Sequence, residues 1–208
     1  MKYINKSALF LLISLLIYSC ENKYNKLINR YEFIKDFSEK IKQETELELT
    51  VYGINRDLPN EHALKNGIYN INITYWMKKN KNDEIPLEKA RDLIVFVTEN
   101  LLQEINSNPA IKSRLDFHPF PLEHLNIIIH FVDENKIDLG RGVAIACFSK
   151  GKIEYERYDI REYTNRYPAH GKHFTIHEES YAKALEIVKE QRYCKLRTPP
   201  ARPISHVP

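Results

Sequence analysis

Glycine is scarce in this 208-residue chain, with six in all. No glycine-rich loop of the kind that cradles a phosphate is present, and Gly140-Arg141-Gly142 is too short a signal for one. Few glycines beside 13 tyrosines also argue against disorder over most of the length. Charge of one sign is lacking too. The 31 basic and 28 acidic residues nearly balance, without the basic excess of a nucleic-acid binder. The apolar run from Ala8 to Tyr18, roughly 11 residues, falls short of the about 20 that a membrane-spanning helix needs. Cysteine is limited to three residues. There is no zincin motif, no nucleophile-elbow serine and no cofactor fingerprint. The sequence therefore assigns no catalytic residue and no cofactor, and an enzyme is the less favoured class.

What is present starts at the N-terminus. Lys2 and Lys6 give a positive segment, the apolar run follows, and Ser19 places a small residue before Cys20. This is the pattern of a secretory signal, here residues 1–19. Ile17-Tyr18-Ser19-Cys20 resembles the lipobox of bacterial lipoproteins, with Tyr18 an unusual middle residue. The resemblance implies lipidation of Cys20 and a membrane-anchored protein of the cell envelope. Glu21 stands where an aspartate would signal inner-membrane retention, which favours the outer membrane. Ile105 to Ile111 and Phe117 to Pro121 resemble uncharacterised envelope lipoproteins of this size, a likeness that carries no activity. With Cys20 assigned to lipid, Cys147 and Cys194 remain as a candidate disulfide in an oxidising compartment. The alternative is two separate thiols.

Periodicity organises the rest. Apolar residues at helical spacing from Leu27 to Ile41 predict a helix directly after the anchor, within 20–45. Leu47 to Val51 and Tyr69 to Met77 alternate as strands, with Trp76 on the polar-facing side of the second. Pro86 opens a long helix with a broad apolar face, from Leu87 to Ile105. Leu125 to Val132 is apolar on both faces, as in a central strand. Lys150-Gly151 reads as a hairpin turn between strands at Val143–Ser149 and Lys152–Tyr158. Thr175 with Glu178 three residues on predicts a capping box starting the last helix. From Arg192 the prolines and basic residues predict a disordered tail. The expectation is an α+β domain over 46–191, a two-layer sandwich with a mainly antiparallel sheet of about five strands and helices on one face.

Three groups could carry chemistry. His170, His173 and His177 are candidate zinc ligands, although a regular helix starting at Thr175 would not bring them together. His118, His124 and His130 form a second set, with His130 reading as a core histidine. Trp76 together with Tyr155, Arg157, Tyr158 and Arg161 could form a ligand or partner surface, since aromatic and guanidinium groups stack on sugars and enrich interfaces. The competing reading of the tyrosine-arginine segment is a solvated edge hairpin. The functional expectation is a lipid-anchored binding module whose partner is another envelope protein or a cell-wall polymer, and not nucleic acid. The alternatives are a zinc-binding enzyme or carrier and a glycan or small-ligand binder.

Overall fold

The computed structural model describes residues 32–54, 67–80, 83–133, 142–158 and 173–197, with side chains to 192. These build one open, mixed sheet of six strands, with four helices among the described residues. The strands are β1 (Glu48–Ile54), β2 (Ile71–Lys78), β3 (Leu125–Val132), β4 (Ile145–Ser149), β5 (Lys152–Tyr158) and β6 (His173–Ser180). They lie side by side in chain order. Four pairings are antiparallel, and β2 pairs with β3 in parallel. The helices are α1 (32–45), α2 (Leu87–Ser107), the short α3 (Pro109–Lys112) and α4 (Tyr181–Arg197). The α+β class and the mainly antiparallel sheet agree with expectation; the sixth strand was not anticipated.

Strand alternation sorts the two faces. Ile71, Ile73, Tyr75 and Met77 of β2 are buried, as are Leu125, Ile127, Ile129 and Phe131 of β3. Ala146, Phe148, Ile153 and Tyr155 continue this face across β4 and β5. Against it pack Ala90, Ile94, Val97, Leu101 and Ile105 of α2 and Tyr181, Ala184 and Val188 of α4. Helix α1 joins the same layer through Ile34, Phe37 and Ile41, and Ser38 Oγ lies 2.9 Å from Tyr75 Oη. Burial of that phenol pushes its pKa up to about 12. The parallel step from β2 to β3 is carried by α2 and α3, as a parallel pair requires a long crossover.

The hairpin at Lys150-Gly151 is present, and both residues have positive φ, 51° and 77°. Paired positive φ is the geometry whose twist matches the flanking strands.

The start of the last helix is corrected. Thr175 and Glu178 lie in β6, and α4 begins at Tyr181. Ser180 caps it, its Oγ accepting from Lys183 N at 3.3 Å. The β5 edge takes the backbone hydrogen bonds of 173–180, so the Thr-x-x-Glu pattern is strand rather than cap. The tail boundary moves likewise: helix continues through Arg197, beyond Arg192. Among the described residues no helix is long and apolar enough to cross a membrane.

Candidate functional site: the helix-free face of the sheet

All four described helices share one face of the sheet, and no described helix packs on the other. The pairing registers write that second face as rows. Asn72 of β2, Asn126 of β3 and Ser149 of β4 are successive partners. Two residues along, Thr74, Ile128 and Cys147 form the next row and lead to Glu154. Two further, Trp76, His130 and Ile145 lead to Glu156. Most of these side chains are half-buried.

The first row is a hydrogen-bonded chain. Asn126 Nδ2 donates to Asn72 Oδ1 at 2.7 Å, and Ser149 Oγ donates to Asn126 Oδ1 at 2.6 Å. Asn72 Nδ2 in turn donates to Asn70 Oδ1 at 3.3 Å. Each amide nitrogen has two N–H bonds and the chain uses one of each, so the row keeps further donors.

The third row is titratable. His173 Nε2 lies 3.1 Å from Glu156 Oε2, with the carboxylate the more buried partner. Burial raises the Glu156 pKa, the His173 charge opposes that rise and Glu154 adds to it. Burial holds His130 below the ordinary imidazole value, and the charge of His173 adds to the effect. Cys147 is a free thiol. Burial first, then Glu156 and Glu154, push it up to about 11, which keeps it a protonated thiol rather than a nucleophilic thiolate.

The anticipated sites distribute as follows. Cys20, Arg161 and His170 lie outside the described residues. Cys194 is in α4, within the part whose side chains are not described, while Cys147 faces away from the helix layer as a free thiol. Of the two alternatives for these cysteines, Cys147 stands as a separate thiol. His173 and His177 do not converge. The register between β5 and β6 shifts between Tyr155 and Glu156, where Tyr155 pairs with His177 and Glu156 with Thr175. That bulge adds one residue, Ile176, and reverses the alternation. His177 consequently faces the helix layer beside Tyr155, at 5.8 Å between ring centroids, while His173 faces the opposite side with Glu156 and Tyr158. No group of three or more metal-binding side chains occurs among the described residues.

The aromatic-arginine surface is also divided. Tyr155 is fully buried under α2, where its hydroxyl donates to Glu179 Oε1 at 2.8 Å. Arg157 shares that side and donates from Nε to Gly142 O at 3.2 Å. Trp76 and Tyr158 lie on the helix-free face, separated by two intervening strands. Because α1 is on the opposite face, it does not cover Trp76. The neutral row of Asn72, Asn126 and Ser149 was missed. Its only signal was polar residues at alternate strand positions, which reads equally as a solvated face.

Comparison with protein-family models, curated proteins and solved structures finds no match to this chain. The site's own chemistry therefore carries the functional argument.

Proposed function

We propose that the chain is a lipid-tethered protein of a bacterial cell envelope that binds another envelope component across the helix-free face of its sheet. The observation that carries this reading is that face itself: half-buried Trp76, His130, Cys147 and Tyr158 around Ile128, with no described helix over them. A sheet face over which no described helix packs offers a broad surface for recognition. The signal-like N-terminus and Cys20 support the tether and its envelope location, with the outer membrane favoured. Among the described residues, Cys147 is held as a protonated thiol and the two histidines of β6 face opposite ways, which favours binding over covalent chemistry there.

Crosslinking of the full-length protein in its native envelope, followed by mass spectrometry, tests the proposal, with a Cys20→Ala control. Reproducible capture of one component, lost in the control, is the expected result. Absence of any specific capture would sink it. Metabolic labelling with an alkyne fatty acid tests the tether separately, and Cys20→Ala should abolish the label.

A further inference from the structure

The two edges of the sheet differ. At β1, Lys42 and Lys78 flank Glu48 at 3.9 and 3.3 Å, and charges of this kind hinder the addition of another strand. The outer edge of β6 is open by comparison. Among the described residues no strand pairs with it, and β6 contains neither proline nor lysine. Phe174 and Ile176 stand 47% and 36% exposed on this strand, two of the four exposed large apolar side chains described. Its charged groups are already engaged within the chain. Glu178 holds Lys152 at 2.6 Å, Glu179 holds Arg91 at 2.7 Å, and His173 lies 3.1 Å from Glu156. An unpaired strand edge is a template for one more strand, through its free N–H and C=O groups.

The bulge decides which strand fits. Pairing with β5 fixes the face of each β6 residue. His173, Thr175, Glu178 and Ser180 lie opposite Tyr158, Glu156, Glu154 and Lys152, on the helix-free side. Phe174, His177 and Glu179 lie opposite Arg157, Tyr155 and Ile153, on the helix side. Ile176, the extra residue, follows Thr175 and so turns to the helix side as well. The eight positions therefore run free, helix, free, helix, helix, free, helix, free, and the order is the same from either end. Antiparallel partners must match face for face. A regular strand alternates strictly and falls out of step at the bulge. A second β6 stays in step, because its own bulge arrives at the same point.

We infer that two copies of this chain associate through their β6 edges, antiparallel about a twofold axis between Ile176 and His177. The two open sheets then become one continuous sheet. Across the axis, His173 pairs with Ser180, Phe174 with Glu179, Thr175 with Glu178 and Ile176 with His177, each pair occurring on both sides. This register opposes no two carboxylates and no two imidazoles. Glu178 keeps Lys152 and gains the Thr175 hydroxyl as a second donor. The two Ile176 side chains flank the axis on the helix side and lose their exposure there. Such a self-complementary patch is the isologous kind of interface, in which each copy offers the same surface. The inference goes beyond the ligand reading of the sheet face and does not depend on it.

Sedimentation equilibrium of the full-length protein, in density-matched detergent over a concentration series, measures the association. A monomer-to-dimer transition is expected. Ile176→Lys brings two ammonium groups together at the axis and should weaken it at least about tenfold. Because Ile176 is exposed, that variant should fold, as judged by circular dichroism. The register is read separately with Cys147→Ala and Cys194→Ala in place and Cys20 retained. Thr175→Cys and Glu178→Cys chains, co-expressed with different tags, should form a mixed disulfide under mild oxidation, while Thr175→Cys alone should not bridge to itself. If Ile176→Lys fails to fold, the mixed disulfide decides. A monomer mass throughout, association unaltered in folded Ile176→Lys, or no mixed disulfide overturns the inference. A photoreactive residue at Thr175 that captures a different protein in the envelope, with the purified chain monomeric, overturns it in favour of another occupant.

Discussion

Arg91 Nε donates to Glu179 Oε1 at 2.7 Å, joining α2 to the edge strand β6, and the two side chains are 8% and 6% exposed. Tyr155 donates to the same oxygen and His177 Nε2 lies 3.7 Å from the other. Charged groups so buried are strongly disfavoured unless paired. Truncating Glu179→Ala should therefore cost about 3–5 kcal/mol by leaving the Arg91 guanidinium without its partner. The paired replacement Arg91→Met with Glu179→Leu should cost much less. Urea unfolding of the two single variants and the double variant measures the coupling, and additive losses would rule it out.

The bulge at Ile176 makes a second prediction. With His173 and His177 on opposite faces, the folded protein should show no micromolar zinc site that depends on both. Isothermal titration with zinc, comparing His173→Ala and His177→Ala, checks this. A single tight site abolished by either substitution would contradict the geometry.

Acid sensitivity should trace to His130. Its pKa is depressed in the folded state, by burial first and then by the charge of His173. The unfolded chain therefore takes up a proton near the ordinary histidine value of about 6.5, while the folded chain resists it until lower pH. The resulting stability is present above that value and is lost as pH falls through the folded pKa. Urea midpoints at pH 8 and pH 5 should differ less in His130→Gln than in the parent, and an unchanged difference would refute the assignment. Glu156 works in the opposite sense, because its raised pKa gives stability that is lost as pH rises through the folded value.

The hairpin offers a conformational test. Gly151 has φ of 77°, and a Cβ there would meet nothing within 4 Å, so any penalty for a side chain is one of backbone conformation. Gly151→Ala should destabilise by about 1–2 kcal/mol. Lys150→Asn should hold or raise stability by a few tenths, since asparagine tolerates positive φ better. Thermal unfolding of both distinguishes turn geometry from loss of contact.

Legibility followed the range of each interaction. The alternation in Ile71 to Met77 and Leu125 to Phe131, the broad face of α2 and the turn at Lys150-Gly151 are local patterns, and each was readable along the chain. Strand β6 was not. Only Phe174 and Ile176 break its polar run, and Thr175 with Glu178 mimics a helix start that loses to the β5 edge. The amide row was equally hidden, because its members are 54 and 23 residues apart in sequence.

The sequence by itself determined the α+β class and which strand positions turn inward, because side-chain period is a property of the local backbone. Tertiary structure alone decided the parallel pairing of β2 with β3, the alignment of Asn72 with Asn126 and Ser149, and the opposed faces of His173 and His177. Those depend on register between strands. One extra residue in β6 reversed the alternation, and only the neighbouring strand fixes where that residue falls.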